Sequence, residues 1–476
     1  MREIRILLLG DGIDLLTADG VGKSSLITSL IKESFVEQIQ HVVPEVTIPP
    51  EWTRENVTTR IVDSSARPEN RDQLDTEIKK ADVICIVYAV NRKETKDGVS
   101  SFWLPYIRNL GRNVPVVLVG NKIDLRGKDV ANDALDEQVK PIMNEFKEVE
   151  TCVECSAKQP LNVSEVFYFA QKAVLHPTAP LYDSREYVLK PACIDALRRI
   201  FKLCDIDKNG YMDDNEIDTF QKHELESVKT VVRQNEPEGV TDLGLSEIGF
   251  ICLHTLFIQR GRLETTWTVL RIFGYGDDLT LKEEFLFPPL EVPPESSVEL
   301  SSAGYQFFTD LFQIFDKDND GALNQQELED LFSTSPAIPW EDTAHKQCIT
   351  NEEGAITLQG FLAQWSMITL LNYKVTLSYL AYLGFFDSDT TKALKVTKPR
   401  KQDRKRGKIQ RDVFLSYVFG AAGSGKMQEF GPNLEAEILQ NKKKLDACDL
   451  ICMVYDSGDA NSFAYLAALR VRNELM

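Results

Sequence analysis

Along the first third of the chain, short apolar runs alternate with segments whose apolar residues recur every three or four positions. The runs Ile4–Leu9, Thr59–Val62, Val83–Val90, Val116–Val119 and Thr151–Cys155 are short and strand-like. They read as strands buried on both faces. Ser24–Lys32 and Leu161–Val174, between and after them, carry helical periodicity. That order predicts an α/β sheet with helices on both sides. Beyond residue 185 the period becomes helical. Ile194, Leu197 and Phe201 make one stripe, Phe308, Leu311, Phe312 and Phe315 another. Ile217 and Phe220, then Leu328 and Leu331, resume the stripe after an acidic loop in each case.

Those two loops match the pattern D-x-[DN]-x-[DN]-G-x₅-E. The first holds Asp205, Asp207, Asn209, Gly210, Tyr211, Asp213 and Glu216; the second Asp316, Asp318, Asp320, Gly321, Ala322, Asn324 and Glu327. Alternate side-chain oxygens wrap a large hard cation, and glycine permits the sharp turn. The seventh residue offers its carbonyl, and the last glutamate binds through both oxygens. The expected Ca²⁺ ligands are therefore Asp205, Asp207, Asn209, Tyr211 and Glu216, and Asp316, Asp318, Asp320, Ala322 and Glu327. An offset of 111 residues maps Asp205 to Asp316, Leu245 to Ile356, Gly249 to Gly360 and Phe250 to Phe361. The repeat supplies a partner hand for each loop, with Leu245 and Ile356 as strand partners for Met212 and Leu323. The partner loops lack carboxylates at ligand spacing and are expected to bind no ion. Thr266–Phe273 and Thr376–Gly384 are expected as added helices.

Four signals lie at strand ends of the first domain. Asp19-Gly20-Val21-Gly22-Lys23-Ser24-Ser25 opens a helix. Its glycines let backbone N–H groups converge on phosphate, Lys23 adds positive charge, and the Ser24 hydroxyl suits Mg²⁺. Asp63 follows a strand and is placed to hold Mg²⁺ through water. Asn121-Lys122-Ile123-Asp124 comes next; the Asp124 carboxylate can accept two hydrogen bonds from guanine, a donor pair adenine lacks. Ser156-Ala157-Lys158 follows the fifth strand, where a backbone N–H meets the guanine O6.

These motifs resemble the Ras-like small GTPases, the Rho branch most closely. The resemblance implies GTP/GDP and Mg²⁺ as ligands and makes Thr47, in Glu45-Val46-Thr47-Ile48-Pro49, the first-switch threonine on Mg²⁺. Two departures stand out. Gly12–Ala18 looks like an insertion into the phosphate loop. Asp63-Ser64-Ser65-Ala66-Arg67 puts alanine and arginine where the family has glycine and glutamine. Without a glutamine to orient water, hydrolysis is expected to be slow, and no catalytic residue is assigned.

Composition narrows the classes. The chain has 476 residues and a net charge of −19, which argues against general nucleic-acid binding. Of nine cysteines, only Cys152 and Cys155 form a close pair, and no second pair completes a zinc site. Buried reduced thiols are expected. No secretory signal and no run of about 20 apolar residues is found, so no membrane span is expected.

The tail carries the basic run Lys398–Lys408, the strand-like Val413–Phe419, then Gly420-Ala421-Ala422-Gly423-Ser424-Gly425-Lys426 with Met427 in place of Ser/Thr. Asp449–Tyr455 resembles the fourth strand of the same fold. About twenty residues separate them, too few for the switch regions, so no second nucleotide site is expected.

A Rho-like GTPase followed by two EF-hand units resembles Miro, the mitochondrial Rho GTPase family; Ala81–Val90, Glu154–Lys158 and Leu253–Trp267 match it closely. The expected architecture is a multidomain chain. Residues 1–176 form a Ras-like α/β GTPase domain, and 185–295 and 296–392 form helical EF-hand units with hidden partner hands. A basic linker spans 393–410, and 411–476 form an incomplete second α/β GTPase-like domain. The family implies a GTP-hydrolysing, calcium-responsive adaptor on the cytosolic face of the outer mitochondrial membrane, with motor-adaptor proteins and GTPase regulators as partners. The family's membrane helix is missing here, so a cytosolic location stays open. Two alternatives also stay open: a calcium-dependent scaffold with a pseudo-GTPase domain, and a calcium buffer.

Overall fold

The computed structural model describes residues 3–10, 20–39, 42–65, 68–126, 133–183, 186–220, 225–294, 296–340, 348–385, 389–398, 411–421, 423–424, 438–440, 445 and 448–472. The insertion at Gly12–Ala18, Asp19, Ala66, Arg67, Lys398–Lys408 beyond its first residue, Ala422 and Gly425–Met427 lie outside the described residues. The chain divides into two compact units, Met1–Thr280 and Leu281–Met476.

The first unit begins with a six-stranded sheet in the order β2-β3-β1-β4-β5-β6. Its strands are β1 (Glu3–Gly10), β2 (Val46–Ile48), β3 (Thr58–Val62), β4 (Val83–Ala89), β5 (Val116–Asn121) and β6 (Val149–Glu154). All neighbours run parallel except β2, which runs antiparallel to β3. The period-2 alternation of a strand explains why runs apolar on both faces were needed. Ile4, Ile6 and Leu8 pack under α1 (Lys23–Lys32) and α6 (Val163–Leu175). Leu7 and Leu9 face the opposite core, built with α2 (Arg71–Lys80), the turn Val99–Trp103 that joins α3 (Lys93–Gly98) to α4 (Leu104–Asn109), α4 itself and α5 (Asp133–Glu145). The short edge strand β2 has no buried residue, so no apolar run marks it in the sequence. It carries Thr47 opposite Arg60.

The rest of the first unit is helical. A small hairpin, β7 (Tyr182–Asp183) with β8 (Val188–Leu189), leads into α7 (Pro191–Cys204), whose last turn runs into Asp205. β9 (Tyr211–Met212), α8 (Asp214–Phe220), α9 (Leu225–Asn235), β10 (Leu245–Ser246), α10 (Glu247–Gln259) and α11 (Leu263–Ile272) follow. In the second unit, α12 (Glu283–Leu286) and β11 (Val298–Leu300) precede α13 (Ser302–Phe315). After them come β12 (Ala322–Leu323), α14 (Gln325–Leu331), β13 (Ile356–Thr357), α15 (Leu358–Leu383) and β14 (Leu394–Val396), which pairs with β11. The two expected strand pairs form in the expected register, Leu245 with Met212 and Ile356 with Leu323. Each unit therefore holds two hands joined by a two-residue ladder.

Each hidden loop closes on glycine, where the calcium loop closes on glutamate. Gly249 and Gly360 stand four residues after the ladder, as Glu216 and Glu327 do. A Cβ on Gly249 would lie 2.0 Å from the Gly239 oxygen, and one on Gly360 would lie 2.4 Å from the Ile349 oxygen. The backbone itself fills the place a carboxylate would take. The added helices also appear. In the first unit Gly261, at φ +74°, breaks α10 from α11. In the second, Asn372 leaves helical geometry inside the continuous α15 at the same point of the repeat.

Beyond β14, β15 (Ser416–Gly420) and β16 (Leu450–Val454) pair in parallel, with α16 (Ala460–Arg472) supplying Leu466 and Leu469 to a small core with Phe419. The buried Glu299 carboxylate of β11 accepts the Asp412 and Val413 amides at 3.1 and 3.4 Å, tying this piece to the second EF-hand unit.

Candidate nucleotide and calcium sites

The phosphate-loop residues Gly20, Val21 and Gly22 lead from the end of β1 into α1. Gly22 holds φ 93° at the helix start and supplies no side-chain cap. The helix opens on this glycine with its N-terminal end toward the loop, the end of a helix that favours an anion. A Cβ on Gly22 would lie 2.6 Å from the Asn121 side-chain nitrogen, so only glycine fits this approach. Lys23 is buried, and its Nζ donates to the Gly10 carbonyl at 3.2 Å. Ser25 opens the helix beside Ser24.

The Ser24 hydroxyl donates to Asp63 Oδ2 at 2.5 Å. Two hard oxygen donors from α1 and the end of β3 therefore share one corner, a donor set that fits magnesium. The Val43 backbone N–H donates to the same Asp63 oxygen at 3.0 Å. Thr47, implied by the family resemblance as a magnesium ligand, is not brought to this corner. Its ladder pairing holds it exposed in β2 opposite Arg60, three residues short of Asp63. From this segment it is Val43, a residue that no motif singles out, whose backbone reaches Asp63.

The base-reading residues converge from β5 and β6. Asn121 is buried; its side-chain nitrogen donates to the Val21 carbonyl at 2.9 Å, binding this loop to the phosphate loop. Its oxygen accepts from the Lys122 and Ala157 amides at 2.8 and 3.2 Å. Lys122 sits in the left-handed region at φ 67°. The Ser156 hydroxyl donates to Asp124 Oδ1 at 2.6 Å and accepts the Gln159 amide at 3.1 Å. Ser156 thereby fixes the carboxylate's plane. Lys158 follows in the same turn. Among the described residues this donor and acceptor set fits a guanine nucleotide: amides and a lysine at one end, an oriented carboxylate at the other.

The calcium loops are wound around their own carboxylates. Asp205 Oδ1 and Oδ2 accept the amides of Asn209 and Gly210 at 3.1 and 2.9 Å, Asp207 that of Asn209, and Asn209 Oδ1 that of Tyr211. Glu216 folds back to accept Ile206 N–H at 2.7 Å and Asp213 N–H at 2.9 Å. The second loop repeats this with Asp316, Asp318 and Asp320, whose Oδ1 accepts the Ala322 amide. Glu327 accepts from Lys317 and Asn324. Gly210 and Gly321, at φ 87° and 83°, make the turn. Carboxylate oxygens of Asp205, Asp207 and Glu216 lie within 4.8 Å of one another, as do those of Asp316, Asp318 and Asp320. Burial pushes the Asp205 carboxyl up, and nearby Glu216 and Asp207 add to it. Crowded like charges of this kind fit a divalent cation held by oxygen.

Comparison with known proteins agrees with this layout. Residues 6–176 match the Ras family, and residues 218–304 and 340–408 match two families described as EF hand associated. The chain is 49% identical to mitochondrial Rho GTPase 1 of Cryptococcus neoformans var. neoformans, over 99% of this chain and 81% of that protein. It is 48% identical to the protein of the same name from Mycosarcoma maydis, over 100% and 78%. With that of Neurospora crassa it shares 46% identity over 98% and 82%. Shared motifs, 46–49% identity over nearly the whole chain and the domain order together place the chain in the mitochondrial Rho GTPase (Miro) family.

Proposed function

We propose that the chain is a slow GTP hydrolase and calcium-binding switch that serves as an adaptor for the transport and distribution of mitochondria. The observation that carries the reading is the convergence of three loops: Asn121 ties Val21 to the guanine-reading turn, while Asp63 gathers Ser24 and the Val43 backbone. Bound Mg²⁺ and GTP would supply charge neutralisation and a γ-phosphate to this corner. The protein's own part is to orient. Lys23 and the first amides of α1 hold phosphate, and Asp124, set by Ser156, selects guanine. The segment before β2 answers to Asp63, so its order would depend on what that corner holds, giving a partner surface that changes with the nucleotide. The Ca²⁺ loops would add a second input. The names of the relatives support a mitochondrial location; motor-adaptor proteins and GTPase regulators are the partners this reading expects. Among the described residues no helix is long and apolar enough to cross a membrane.

The test is the nucleotide content and single-turnover GTP hydrolysis of the full chain. Purified protein should carry GDP or GTP, and Lys23→Ala should lower retention at least about tenfold, the scale of one lost charge-assisted contact. Protein free of nucleotide and indifferent to Lys23→Ala would favour the scaffold reading with a pseudo-GTPase domain.

A further inference from the structure

The two calcium loops differ in how their hidden partners touch them. In the second unit Asn351, in the hidden loop, donates its side-chain N–H to Asp320 Oδ2 at 3.2 Å. The direction of this amide is fixed by the rest of its contacts. Asn351 Oδ1 accepts the Glu353 and Ala355 amides at 3.1 and 2.9 Å. The oxygen is thus committed to the local turn, and the nitrogen must face Asp320.

In the first unit the hidden loop is one residue shorter on the approach to the ladder. Val240 bridges Leu245 where Thr350 bridges Ile356. Thr241 therefore stands where Asn351 stands. Its N–H donates to the Gly244 carbonyl as that of Asn351 donates to Ala355, and its hydroxyl oxygen accepts the Leu243 amide at 3.3 Å. The same turn is made with the Thr241 hydroxyl held inside it, between the Gly244 carbonyl and the Leu243 amide.

We infer that Asn351 is a positioning residue for the second calcium site, an inference that rests on the calcium reading of the two loops. Asp320 offers Oδ1 on the side of Ala322 and Oδ2 to Asn351. The amide donor draws negative charge away from the crowd formed with Asp316 and Asp318. It also fixes the carboxylate's plane before an ion arrives. The site is thereby preorganised, and the hidden hand becomes part of it without contributing a ligand. In the first site the third ligand, Asn209, is held among the described residues by its own loop, through Asp207 and the Tyr211 amide.

The test uses Asn351→Thr, which installs the residue the first unit already uses for this turn and withdraws only the long donor. Calcium titration of the full chain would be followed by calorimetry in two backgrounds. Glu216→Gln isolates the second site and Glu327→Gln the first. In the Glu216→Gln background Asn351→Thr should weaken calcium binding roughly 2- to 10-fold, the worth of one net hydrogen bond. First-site affinity and the calcium-free melting temperature should stay put. An unchanged second-site affinity overturns the inference, as does a fall in melting temperature with no change in affinity. If the parent chain binds no ion that Glu327→Gln removes, the calcium reading itself fails, and that result is distinct from the other two.

Discussion

At the residue scale, the candidate sites are legible because their chemistry needs particular side chains at particular spacings. Gly22 cannot be otherwise beside Asn121, and Asp124 is useful only because Ser156 orients it. Residues that act through their backbone leave no such trace; Val43 reaches Asp63 with an N–H every residue but proline owns. One buried residue makes a stability prediction. His254 is fully buried against Phe250 and Phe257, and its Nδ1 lies 3.0 Å from the Thr266 hydroxyl. Burial pulls its pKa from 6.5 down to about 3. A depressed histidine stabilises the fold fully above its unfolded pKa and loses that contribution as pH falls from 6.5 toward 3. The second unit has Trp365 at the matching position. His254→Phe should therefore flatten the drop in melting temperature between pH 7 and 5, read as the difference from the parent chain.

At the element scale, periodicity located the long strands and the paired helices, and the 111-residue repeat located the ladders. It could not show β2, a three-residue edge strand whose Val46 and Ile48 are only half-buried against the core. Nor could it show that one hidden loop is a residue shorter, because the offset holds again from Leu245 onward. The two loop-closing glycines give a test at this scale. Gly249→Ala and Gly360→Ala would each press a methyl against a backbone carbonyl that has no other place to go. Each should lower stability by about 1–3 kcal/mol in denaturant unfolding, as overpacking does. The same change at Gly98, with open space around it and a helical φ of −63°, offers a control for clash.

At the scale of the first unit, the GTPase domain and the first EF-hand pair are joined at the end of α6. The Trp267 indole N–H donates to the Pro177 carbonyl at 2.9 Å, and Lys172 reaches both the Gly261 carbonyl and Glu264 at 2.9 Å. Arg271 donates to the Leu175 carbonyl and lies over the Trp267 ring. His176, at the same point, sits 3.6 Å from Glu55 in the turn after β2. Burial and the neighbouring Arg271 charge hold its pKa down. Arg271→Ala should loosen this joint. Hydrogen exchange across residues 175–183 should rise, while nucleotide affinity stays within about twofold, since Arg271 contacts Leu175, His176, Trp267 and Asp277, all outside the nucleotide motifs. Unchanged exchange would assign the joint's rigidity to Trp267 and Lys172 instead.

The sequence by itself determined the order of strands and helices, the two acid-spaced loops, the four nucleotide motifs and the repeat, since each is a local pattern of residue type. Only the tertiary structure decided that Asn351 of a hidden loop meets the calcium-loop residue Asp320, and that Asp63 meets Val43 rather than Thr47. Those outcomes depend on strand register and loop length between segments far apart in the chain. A one-residue difference in either moves a side chain to another neighbour while leaving every local pattern unchanged.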